Sequence, residues 1–102
     1  MKTWIVLVGL LVPLGLLHSA QAAGDIQAGK TKAVACQVCH GQGGKSINPL
    51  YPVLAGQHAR YIIKQLKAFK SGTRKDPIMN GMAAPLTVDD MEDIAAFFAS
   101  NK

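Results

Sequence analysis

The chain has 102 residues, 49% of them apolar and 17% charged, with a formal charge of +5. That modest positive balance suits acidic partners rather than nucleic acid, and it comes with no low-complexity tract and no internal repeat. Two cysteines in all exclude a disulfide framework of several bridges and a four-thiolate metal site.

The first segment reads as an export signal. Lys2 supplies a positive start, Trp4 to Leu17 is apolar but broken by Gly9, Pro13 and Gly15, and Ala20-Gln21-Ala22 is a small-residue cleavage site. The apolar run is shorter than the roughly 20 residues that span a bilayer, so a retained anchor is the weaker reading. Cleavage near Ala22 divides the chain into a signal peptide, 1–22, and one domain, 23–102, and removes the charge of Lys2. A domain of that size is marginal for an unaided core.

The first predicted helix opens at Asp25, a candidate N-cap, and runs to the region of Cys36. Gly29 inside it weakens a helix and calls for a packing reason. Cys36-Gln37-Val38-Cys39-His40 follows, and Cys-x-x-Cys-His is the attachment sequence of a c-type haem. Its two thiols can add to the porphyrin vinyl groups, and the histidine beside the second is then held beneath the iron. A thioredoxin-like pair would need a βαβ context, which this sequence does not suggest. A zinc site would need a fourth ligand beyond Cys36, Cys39 and His40, and His58 is the remaining histidine of the domain.

Residues 41–56 read as a loop, with Gly43-Gly44, Asn48-Pro49 and Pro52. The second helix is predicted from about Gln57 to Ser71, with Ile62, Leu66 and Phe69 as its apolar stripe and Gly72 as its stop. Its charges form either a solvated face or a docking surface to which Lys64, Lys67, Lys70 and Arg74 contribute. A second loop, 72–86, marked by the turn residues Asp76-Pro77, Asn80-Gly81 and Pro85, holds Met79 and Met82, either of which would complete a His/Met iron site; His58 is the rival ligand. Thr87, with Asp90 three residues on, opens a third helix that buries Met91, Ile94, Ala95 and Phe98.

These motifs in this order resemble the bacterial class I c-type cytochromes: Cys36-x-x-Cys39-His40-Gly41, Asn48-Pro49, Leu54-Ala55-Gly56-Gln57, Tyr61, Gln65-Leu66, Phe69, Gly72, Arg74, and Met79-Asn80-Gly81-Met82 before the last helix. The likeness is to small periplasmic monohaem cytochromes of the c-553 type and to one half of diheme cytochromes of the c-four type. It implies an all-α fold of three to five helices around one covalent haem c, with crossed N- and C-terminal helices and Gly29 against Phe97 or Phe98. It also implies Met79 as the axial iron ligand opposite His40, with Met82 as the alternative, and the Pro49 carbonyl as acceptor for the His40 ring. The expected function is periplasmic one-electron transfer to redox partner proteins, with no enzyme activity and no stable membrane insertion after signal removal. Alternatives are an electron-transfer subunit of a larger dehydrogenase or, further off, a five-coordinate haem enzyme or gas sensor.

Overall fold

The computed structural model describes residues 1–11 and 24–102; the expected cleavage site at Ala20 to Ala22 and the second half of the apolar run lie outside them. Five α-helices and one short 3₁₀ turn make up the domain, and no strand occurs among the described residues. None of these helices is long and apolar enough to cross a membrane.

Helices α1 (Ile26–Lys32) and α2 (Val34–His40) are consecutive, divided at Ala33. Asp25 caps the first as its sequence position suggests, its carboxylate accepting from the Ala28 amide. The predicted first helix thus continues past Cys36 to His40. The ladder bridges the division, since the Ala33 amide donates to Gly29 and the Gln37 amide to Ala33.

Helix α3 (Ala59–Ser71) starts two residues later than predicted, with His58 at its N-cap, and ends at Gly72 in the left-handed conformation. Helix α5 (Val88–Ser100) opens on a complete capping box, in which Thr87 and Asp90 each accept from the other's backbone amide. Between them lies a helix where a loop is predicted: α4 (Pro77–Ala83). Asp76 caps it by accepting from the Ile78 and Met79 amides, and Pro77 occupies the first turn, where no amide is needed. Asp76-Pro77 is therefore a helix start as well as a turn signal.

The core lies where α1 and α3 meet α5. Ala33, Ile62, Leu66, Met91, Ile94, Ala95, Phe97 and Phe98 form one buried cluster, and each large apolar side chain in it contributes roughly 1.5–3 kcal/mol. Gly29 is the crossing point with α5. A Cβ there would lie 1.9 Å from the Asp93 carbonyl oxygen and 2.9 Å from the Phe97 Cβ, so the backbones touch in a way only glycine permits. The aromatic is Phe97; Phe98 instead packs on Gly44. Lys32 locks the crossing through ion pairs to Asp90 (2.9 Å) and Asp93 (2.7 Å), while Asp93 also accepts from the Asp25 amide.

Candidate functional site

Cys36, Cys39 and His40 leave α2 on one face, because positions i, i+3 and i+4 stack on a helix. Neither cysteine is in a disulfide, and both are half-buried. Burial pushes the Cys36 thiol above the usual cysteine range.

His40 is buried, at 7% exposure, and its ring nitrogen Nδ1 lies 2.8 Å from the Pro52 carbonyl oxygen. A carbonyl only accepts, so Nδ1 carries the proton and Nε2 presents its lone pair. Among the described residues no buried side-chain nitrogen or oxygen lacks a partner; Nε2 is therefore open rather than entombed. The acceptor is Pro52 and not Pro49. Asn48 to Tyr51 form a turn closed by the Tyr51 amide on the Asn48 carbonyl, with Pro49 exposed on it, and the chain reaches the ring only after that turn.

The long loop from Gly41 is tied down at several points. The Leu54 and Ala55 amides donate to the Gly44 carbonyl, the Gly56 amide to Phe98, and Asn101 Nδ2 to Gly43. Gly44 holds φ +81°, and a Cβ on it would lie 2.7 Å from the Phe98 ring. This anchoring fixes the Pro52 carbonyl relative to α5.

Met79 stands half-buried on α4, packed at the edge of the core. Met82, one turn further, is 39% exposed. His58 is exposed at the head of α3. Two of the four expected docking residues are engaged within the domain. Lys70 Nζ donates to the Leu86 carbonyl, and Arg74 lies 4.5 Å above the Phe69 ring while donating to Gln65. Lys64 and Lys67 stay exposed with no ion-pair partner among the described residues.

A family model described as cytochrome c matches residues 26–102. The chain belongs to the cytochrome c family. Cytochrome c4 of Stutzerimonas stutzeri is 47% identical over 106 residues, covering 95% of this chain and 50% of that protein. A thiosulfate dehydrogenase electron acceptor of Thiomonas intermedia (strain K12) is 38% identical over 91 residues, 87% of this chain and 41% of its own. Among solved structures, reduced recombinant cytochrome c4 from Pseudomonas stutzeri superposes with a TM-score of 0.74 at 46% identity, over 78% of this chain and 47% of that one. This cytochrome spans about half the length of these relatives and resembles one half of a cytochrome c4.

Its cofactor is covalently attached haem c with its iron. The residues present fit that group. Around His40 and Met79, Leu50, Val53, Tyr61, Ile78 and Met82 expose large apolar side chains. Leaving such surface in water costs about 25 cal/mol per Å². A flat apolar group would cover it, and two thiols with one open imidazole nitrogen are the donor set that group requires.

Proposed function

We propose that this cytochrome is a periplasmic one-electron carrier whose haem is joined to Cys36 and Cys39 and whose iron is ligated by His40 and Met79. The bound haem supplies the redox chemistry, its iron alternating between Fe(II) and Fe(III). The observation that carries the reading is the His40 ring, aimed from the same helix face as both thiols and held in one tautomer by Pro52. That carbonyl raises the basicity of Nε2 and stops the ring from turning. Met79 is favoured over Met82 because it sits against the core rather than in solvent. His40 and Met79 would hold the iron between them and leave it no site for a substrate, so the protein's own part would be to set the potential and exclude water.

Export by a cleaved signal peptide fits the chemistry, since thioether bonds remove two thiols that would oxidise outside the cytoplasm. Partner docking is brief and helped by charge, with Lys64 and Lys67 as contributors. The deciding experiment is the spectrum of the ferric holoprotein. A weak red-edge band from methionine–iron bonding is expected, lost in Met79→Ala and kept in Met82→Ala; a high-spin spectrum with ready carbon monoxide binding would overturn the carrier reading.

A second reading, a permanent haem subunit relaying electrons for a dehydrogenase, is favoured by the likeness to a thiosulfate dehydrogenase electron acceptor. Copurification from the native source separates the two: a constant partner supports the subunit, a free cytochrome the carrier.

A further inference from the structure

The geometry points to Asn80 as a latch that holds the methionine-bearing helix α4 against the end of α3, deciding which methionine faces the iron and how readily it lets go. This inference rests on the His/Met reading above.

Asn80 joins three separate pieces of backbone. Its Nδ2 donates to the Phe69 carbonyl (2.8 Å), in the last turn of α3, and to the Arg74 carbonyl (2.9 Å), in the connecting turn. Its Oδ1 accepts from the Asp76 amide (2.9 Å), at the cap of α4. Both donors and the acceptor are thus engaged, which a neutral primary amide can do and a carboxylate cannot. Asp76 in turn accepts from the Met79 amide, so Met79 is held through its own amide on one side and through Asn80 on the other. Arg74 secures the far side of the turn by stacking on Phe69 and donating to Gln65.

Helix α4 needs such a tether. Seven residues are too few to persist as an isolated helix, and its one fully buried residue is Ala83. At 3.6 residues per turn, Met79 and Met82 project only about 60° apart around the axis. A modest roll of α4 would exchange them. The Asn80 bonds, one residue beyond Met79, resist that roll. Asn80 is therefore a positioning residue that acts on the iron through Met79.

The test is imidazole titration of the ferric holoprotein, followed by the red-edge band, in Asn80→Asp, Asn80→Ser and the parent. Each hydrogen bond lost changes an equilibrium roughly fivefold, so Asn80→Asp, which loses both donors, should take up imidazole about tenfold or more tightly. Asn80→Ser, keeping one donor, should fall between and keeps the test open if the aspartate variant fails to fold. Lys32→Met serves as the control, because it loosens the distant α1–α5 crossing and should lower thermal stability without moving the titration. Titrations of both Asn80 variants within twofold of the parent would overturn the latch, as would an equal shift in Lys32→Met. Survival of the red-edge band in Met79→Ala would overturn the ligand assignment instead, so the two failures are distinguishable.

Discussion

The two sides of this small domain are held by different means. Where α1 crosses α5, protein meets protein directly: Gly29 brings backbone onto backbone, Lys32 bridges two aspartates, and Phe97 and Phe98 are buried. On the side of His40 and Met79, the loop is pinned by hydrogen bonds at Gly43, Gly44 and Gly56, yet Leu50 is 82% and Ile78 60% exposed. The first side satisfies both its polar and its apolar groups. The second leaves large apolar side chains that no protein segment covers, the surface a haem would bury. Hydrogen bonding and hydrophobic burial are separable here, and the chain supplies both only along the helix crossing.

The largest expected effect follows from that contrast. Haem-free protein, made as Cys36→Ser/Cys39→Ser, should lose its cooperative thermal transition, because a group bound only by the native state stabilises that state. A native-like calorimetric melt would show that the helix crossing suffices by itself. Next comes Gly29→Ala. Its methyl group meets the Asp93 carbonyl and the Phe97 Cβ, neither of which can step aside cheaply, and about 3 kcal/mol of destabilisation is expected in denaturant titration of the holoprotein.

A smaller effect concerns acid. Lys32 holds the Asp90 carboxyl down to about 2 and draws Asp93 below the usual carboxylate range, while the two aspartates raise Lys32 above the usual lysine range. Depressed carboxylates stabilise the fold above their ordinary value of 3.8 and cease to do so as pH falls towards 2. While those carboxylates are ionised, the raised lysine contributes fully below its ordinary value of 10.5, and that contribution is lost in strong alkali as pH rises through the raised value. Lys32→Met should therefore move the midpoint of acid unfolding to higher pH, an effect that shrinks with added salt because the cluster is solvent-exposed. The smallest effect is at Gly81 in α4, where a Cβ would meet nothing within 4 Å. Gly81→Ala should stabilise by up to about 1 kcal/mol, in direct contrast to Gly29.

Much of this was legible in the sequence wherever the cause was local. Asp25, Gly72 and the Thr87–Asp90 pair act on amides within a few residues of themselves, and each does in the structure what its position suggests. The apolar stripe of α3 buries as its periodicity requires. Helix α4 was missed although its signal was local too, because Asn80-Gly81 and Asp76-Pro77 read first as turn residues. The acceptor for His40 was misplaced by three residues, since the likeness pointed to Pro49 and only the course of the loop brings Pro52 to the ring. Lys70 and Arg74 looked like free surface charges because nothing in a periodicity reveals the carbonyl or the aromatic face that engages them.

The sequence by itself determined the haem chemistry and the helix ends. Cys36, Cys39 and His40 share a face by helical spacing alone, and caps depend on neighbours three residues away. Only the tertiary structure decided what those elements touch. The Asp25 amide meets Asp93 across 68 residues of chain and Lys32 meets it across 61, while Asn80 returns to a carbonyl 11 residues behind it. Such contacts arise when packing closes loops, and their partners are chosen by the path of the whole chain rather than by any short segment of it.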